Sequence, residues 1–228
     1  MSNNDAVAVA EYVRAELGPS DEWVRPAGYP DSLALCIVDS VYSLRVKYTS
    51  VINVLNNYRQ KRREEGADPV HDSASDLLAA IDAAGGPEAA AETLFSNNHV
   101  APGSKRLKSI VAAEAAQNLV DIGINTADEF RKAVEDSVSE AKVEKAWTAV
   151  SGLGPASWDY LKLLTGIDAT KADVWITRFV ALALGEDSVS PARAKEALAG
   201  AATELGVSLT TLDHAVWRFA SDREPLSE

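Results

Sequence analysis

Gly152, Gly154 and Pro155 form a Gly-x-Gly-Pro run between two stretches with helical spacing, Val143, Ala146, Trp147 and Val150 before it and Trp158, Leu161 and Leu164 after it. Glycines turn the backbone without a Cβ clash, and Pro155 has no amide hydrogen to lose at a helix start. The free amides beyond such a turn point outward at the positive end of a helix dipole, where a phosphate can approach closely. Nineteen residues after Gly154 comes Asp173, directly before Val174, Ile176, Phe179 and Val180, whose spacing predicts another helix with the carboxylate at its N-terminus. Taken singly, such a turn also simply joins two packed helices and such an Asp simply caps one. Together they offer a phosphate grip and one fixed carboxylate.

The pair resembles the core of the helix-hairpin-helix DNA glycosylase superfamily, in a divergent branch without an iron-sulfur cluster. In that family the motif runs Leu-Pro-Gly-Val-Gly, a helix, then Val-Asp-x-His-Val-x-Arg. Here it runs Val150-Ser151-Gly152-Leu153-Gly154, a helix, then Ala172-Asp173-Val174-Trp175-Ile176-Thr177-Arg178. The resemblance implies that Gly152, Leu153, Gly154, Ala156 and Ser157 hold the DNA backbone. It implies that Asp173 is the catalytic carboxylate, which stabilises the oxocarbenium character of the sugar as the base leaves or activates water. It also implies a monovalent cation at the hairpin carbonyls. Where lyase-competent members carry a Schiff-base lysine the chain has Ala156, which predicts a monofunctional enzyme, with Lys162 or Lys171 the remaining amines nearby in sequence. Trp175 replaces a common histidine and Trp158 a small residue, so both are candidates for the base pocket. Cluster-bearing members need four cysteines, and this chain has one, Cys36.

The elements that must position these residues read as helices throughout. No alternating strand and no fixed-period repeat is found, and the fold class is all-α. Leu33 to Tyr42 is apolar nearly all round, the pattern of a helix buried on most sides. Within it Asp39 needs a partner or a solvent-facing cleft. The next helix carries Val51, Val54, Leu55 and Tyr58 on one stripe and ends in a basic run. In the resembling family the connection between these two helices enters the DNA, often with glutamines. Here that stretch has none, and Tyr42, Arg45, Tyr48 and Asn53 are the candidates for base contact or wedging, with Asp39 beside them. Ser73 with Asp76 and Thr126 with Glu129 read as capping boxes, and Ser190-Pro191 as a helix start. Asp5 is expected to cap the first helix, and an amphipathic helix is expected over 105–120. The resemblance implies two helical lobes with a cleft between them: 45–160, barrel-like and ending in the hairpin, and 1–44 with 161–228.

Composition narrows the chemistry. The chain has 228 residues, 46% of them hydrophobic, enough for a sizeable core. The apolar run Leu33 to Val38 is too short to span a bilayer, and the first residues show no signal-peptide pattern, so a cytoplasmic protein is expected. His71, His99 and His214 are scattered without metal-ligand spacing, so no metal held by side chains is expected. A net charge of −12 opposes nucleic-acid binding unless the basic residues segregate. They do so in sequence: Arg45, Lys47, Arg59, Lys61, Arg62 and Arg63 lie in a stretch with no acid, as do Lys105, Arg106 and Lys108.

The expectation is a monomeric, monofunctional glycosylase acting on double-stranded DNA, flipping out a base and hydrolysing its N-glycosidic bond to leave an abasic site. Its target would be an alkylated base, a deaminated base, or a bulky modified cytosine such as phages use, the last implying antiphage defence. The alternatives are a non-catalytic helix-hairpin-helix DNA-binding module and an interaction protein that has lost DNA binding.

Overall fold

The computed structural model describes residues 3–223. Among them lie twelve α-helices: α1 (Asn3–Glu16), α2 (Leu33–Tyr42), α3 (Tyr48–Glu64), α4 (Ala74–Ala83), α5 (Pro87–Thr93), α6 (Lys108–Asp121), α7 (Ala127–Val134), α8 (Ser137–Thr148), α9 (Pro155–Leu164), α10 (Val174–Leu184), α11 (Pro191–Leu205) and α12 (Leu209–Arg223). The described residues contain no strand, only an isolated bridge between Val100 and Leu107. The protein is all-α. None of these helices is long and apolar enough to cross a membrane.

The helices fall into two units. One is Gly28–Ile167; the other joins the residues before 28 to those after 167. The divisions therefore lie at 27/28 and 167/168, whereas the sequence suggested 44/45 and 160/161. The reason lies in α2, whose ten residues are all buried. It packs on α3, α4, α6 and α9, so it sits at the centre of the Gly28–Ile167 unit and holds α9 there. Each of its fully buried Leu, Ile and Val side chains contributes roughly 1.5–3 kcal/mol by leaving water. Ser32 caps α2 by accepting the Leu35 amide at 3.3 Å, and its hydroxyl donates to the Asp72 carbonyl at 3.0 Å. Asp72 is itself clamped by the Tyr58 hydroxyl at 2.6 Å and by Arg62 Nε at 2.8 Å. This lifts the Arg62 pKa further above its ordinary range.

Both capping boxes form, Ser73 with Asp76 and Thr126 with Glu129. Helix α6 begins at Lys108 rather than 105, because the preceding residues are spent on a turn in which the Ala101 amide donates to the Arg106 carbonyl and the Lys108 amide to the His99 carbonyl, both at 2.9 Å.

In the other unit α1 packs along α11, and α10 contacts α1, α11 and α12. A Cβ at Gly200 would lie 2.5 Å from the Ala6 Cβ, so only glycine permits this approach of α11 to α1. Asp5 does not cap α1. The helix starts at Asn3, and the Asp5 carboxylate instead accepts from Arg193 Nε at 2.7 Å, tying α1 to α11. Ser190 caps α11 as its spacing with Pro191 suggested.

Candidate functional site

The hairpin belongs to the Gly28–Ile167 unit. After α8 the chain turns through the Leu153 amide donating to the Val150 carbonyl at 3.0 Å, with Gly152 at φ +103°. Only glycine adopts that angle without strain, and a Cβ there would meet the Ala101 Cβ at 2.9 Å. Ser157 locks the start of α9: its Oγ accepts the Gly154 amide at 3.0 Å and the buried Trp147 indole at 3.1 Å, and donates to the Gly154 carbonyl at 2.7 Å. Ser40 on α2 donates to the Ser157 carbonyl at 3.0 Å. The turn is thus held from the core side. Its outer side is open, since Ser151, Pro155 and Ala156 are exposed. The Gly152 and Ala156 amides reach no acceptor among the described residues, and the Ser151, Gly152 and Leu153 carbonyls accept no hydrogen bond there. Outward amides at a helix start suit an oxyanion; the three carbonyls suit a hard cation such as the one the resemblance implies.

The expected base-pocket residues separate by burial. Tyr42 is 2% exposed and packs its ring 5.1 Å from Phe95, while Trp158, also 2% exposed, lies 5.4 Å from Phe130. Neither presents a face to a ligand without opening the core. Arg45, Tyr48 and Asn53 are on the surface. Asp39 is fully buried and draws three phenols to itself: Tyr29 at 2.9 Å and Tyr48 at 3.2 Å on Oδ2, and Tyr160 at 3.1 Å on Oδ1. Burial first, then the Asp39 charge, pushes the Tyr48 phenol up to about 12 and those of Tyr29 and Tyr160 far above their ordinary range. The Arg59 guanidinium sits 5.2 Å from the centre of the Tyr29 ring. Asp39 therefore has the partners its burial demands, in a knot joining α2, α3, α9 and the residues before α2. Cys36 is buried one turn earlier, its thiol donating to the Tyr29 carbonyl and pushed well up by desolvation.

Asp173 belongs to the other unit. It is the N-cap of α10, its Oδ1 accepting the Trp175 amide at 2.8 Å and the Ile176 amide at 3.2 Å. Its Oδ2 accepts no hydrogen bond among the described residues, and the residue is half-buried. One oxygen fixes the orientation of the carboxylate. Trp175 is buried beneath, with the Arg178 guanidinium 5.8 Å from its ring centre.

Asp213, on α12, lies within electrostatic reach of Asp173. Its Oδ1 accepts the Thr170 hydroxyl and, at 3.0 Å, the Lys171 amide. Burial pushes its carboxyl up to about 7, and the Asp173 charge adds to the rise despite those hydrogen bonds. A carboxyl pushed up by burial within reach of a second carboxylate is an arrangement from which acid and base roles are built. Asp213 had no local signal in the sequence, since Thr170 lies 43 positions away. Among the described residues, no group of three or more His, Cys, Asp or Glu side chains forms a metal site.

The chain belongs to the family described as a domain of unknown function (DUF8548), which it matches over residues 7–221. No curated protein and no solved structure matches it.

Proposed function

We propose that this member of a family without an assigned activity is a monofunctional DNA N-glycosylase, which hydrolyses the N-glycosidic bond of a flipped-out modified or damaged base and leaves an abasic site. The observation that carries the reading is the state of Asp173, a carboxylate aimed by two amides of α10 through one oxygen while the other stays unshared. A fixed anion of this kind stabilises positive charge developing on a deoxyribose, or orients the attacking water, without reorganising as the bond breaks. The hairpin amides of Gly152 and Ala156 supply the grip on the strand. With Ala156 where a lysine would form a Schiff base, the reaction stops at hydrolysis. A monovalent cation on the Ser151, Gly152 and Leu153 carbonyls would add a bridge to the phosphate.

A second reading, a non-catalytic helix-hairpin-helix DNA-binding module, is favoured by the burial of Tyr42 and Trp158, which leaves a thinner set of candidates for holding a base. Duplexes carrying alkylated bases, deaminated bases or bulky phage-type modified cytosines separate the two. Mass spectrometry of free base, run beside a DNA-retention assay, is the measurement. Base released by wild type and abolished in Asp173→Asn, with DNA retention kept, is the expected result. Salt-dependent retention with no base from any substrate would leave the binding module.

A further inference from the structure

In the Gly28–Ile167 unit the α2–α3 connection and the turn before α6 border an open hollow of about 460 Å³, lined by apolar residues such as Leu44, Val46 and Val100 together with Arg45, His99, Ser104 and Lys108, and by no carboxylate. We infer that this hollow is a phosphate pocket, which takes a phosphodiester of a nucleic-acid strand. The assignment of the phosphate to a strand rests on the DNA reading above; the pocket itself does not.

A wall of this kind on a chain of net charge −12 is a concentrated positive feature. Lys108 is its buried cation. Its side chain is buried, and its ammonium donates to the Tyr42 carbonyl at 2.9 Å and the Leu44 carbonyl at 2.8 Å. An ammonium has three N–H donors, which leaves one beyond these two carbonyls, and Lys108 is among the residues lining the hollow. Desolvation holds that ammonium down at about 8, and an anion alongside would reverse the effect. The group is already stripped of water, so a phosphate arriving there does not have to strip it again.

Arg45 provides the second cation. Its φ of +52° puts a non-glycine residue in the left-handed region, a strain of about 1–2 kcal/mol of the sort that collects at functional sites. The two Lys108 hydrogen bonds fall on carbonyls just before it, at Tyr42 and Leu44, and hold the backbone in that conformation. The guanidinium is exposed and has no acidic partner among the described residues. His99 and the Ser104 hydroxyl complete a set able to donate to a tetrahedral anion.

The pocket also borders the hairpin. A Cβ placed on Gly152 would lie 2.9 Å from Ala101 and 3.9 Å from Ser104 Oγ, both residues lining the hollow. A strand held by the Gly152 and Ala156 amides would carry a neighbouring phosphate past this opening.

The test uses the full chain and a fluorescein-labelled duplex, with binding followed by anisotropy across a KCl series and free-base release measured in parallel. Arg45→Ala and His99→Ala, both at exposed positions, are checked by circular dichroism for an intact fold. The expected result is severalfold weaker binding whatever the base sequence, with the slope of log K against log salt shallower by about 1 for Arg45→Ala. Inorganic phosphate at constant ionic strength should shift the backbone amide resonances of 99–108 in wild type and not in Arg45→Ala. An unchanged slope in both variants together with no phosphate-dependent shift overturns the inference, even where base release shows that the glycosylase reading holds. Shifts with phosphate alone and an unchanged duplex slope overturn the strand assignment, leaving a free-phosphate site. A shallower slope with no base released sustains the pocket while removing the proposed chemistry of Asp173.

Discussion

Replacing Asp213 by asparagine should flatten one limb of the protein's pH–stability profile. The Asp213 carboxyl has an ordinary value of 3.8 and sits at about 7 in the fold. Between those values the unfolded chain has lost the proton and the folded chain keeps it. Folding then binds a proton, and stability falls as pH rises. At about 1.4 kcal/mol per pH unit the full loss is about 4 kcal/mol, complete above the folded value and absent below the unfolded one; between pH 5 and pH 8 it is about 2.5 kcal/mol. Asparagine keeps an oxygen for the Thr170 hydroxyl and the Lys171 amide and has nothing to ionise. Carboxylates held low elsewhere, such as Asp168 and Asp76, change stability in the opposite sense as acid is added, and they cancel when variant and wild type are compared at each pH. Urea unfolding at pH 5 and pH 8 gives the difference directly. Asp213→Asn should gain about 2.5 kcal/mol on wild type between the two pH values. A gap that stays constant with pH would mean that Asp213 ionises as in water, and its burial beside Asp173 would then have no energetic consequence.

Two further substitutions probe how the candidate groups are held. Gly152→Ala forces a side chain into a positive φ and against Ala101, so unfolding in urea should show a loss of about 2 kcal/mol together with weaker DNA retention; unchanged stability would refute the account of the turn. Lys108→Met leaves the Tyr42 and Leu44 carbonyls without their donor, an expected loss of about 3 kcal/mol in the same assay, and a neutral or stabilising result would mean that the buried charge costs more than its two hydrogen bonds return.

What was legible in the sequence was what local chemistry decides. The bounds of α2 follow from a stretch that is apolar nearly all round, the two capping boxes and the Ser190 cap from short-range hydrogen-bond geometry, and the place of Asp173 at a helix start from one residue's position before an apolar stripe. Burial around the base-pocket candidates was not legible. Tyr42 was a base-contact candidate by its position next to the α2–α3 connection, yet its ring turns inward onto Phe95. One partner of Asp39 was hidden because Tyr160 lies 121 positions away. Lys108 did carry a signal within the basic run: with Val111, Ala112, Ala115 and Leu119 it shares the spacing of the buried stripe of α6, so a cation was being sent inward.

These buried polar groups share a way of acting. Lys108 spends its hydrogen bonds on the backbone just before Arg45, Ser157 on both backbone groups of Gly154, and Asp213 on the Thr170 hydroxyl and the Lys171 amide two residues short of Asp173. Burying such groups is unfavourable in itself, and apolar residues would fill the same volume at lower cost. What apolar residues lack is direction. A hydrogen-bonded ammonium, hydroxyl or carboxyl fixes a neighbouring backbone segment in one conformation, and in each of these places that segment bears a group whose polar atoms are left unshared on the outside. The cost of burial is therefore placed where it orients Arg45, the hairpin amides and Asp173, the three features on which binding and hydrolysis of a DNA strand would depend.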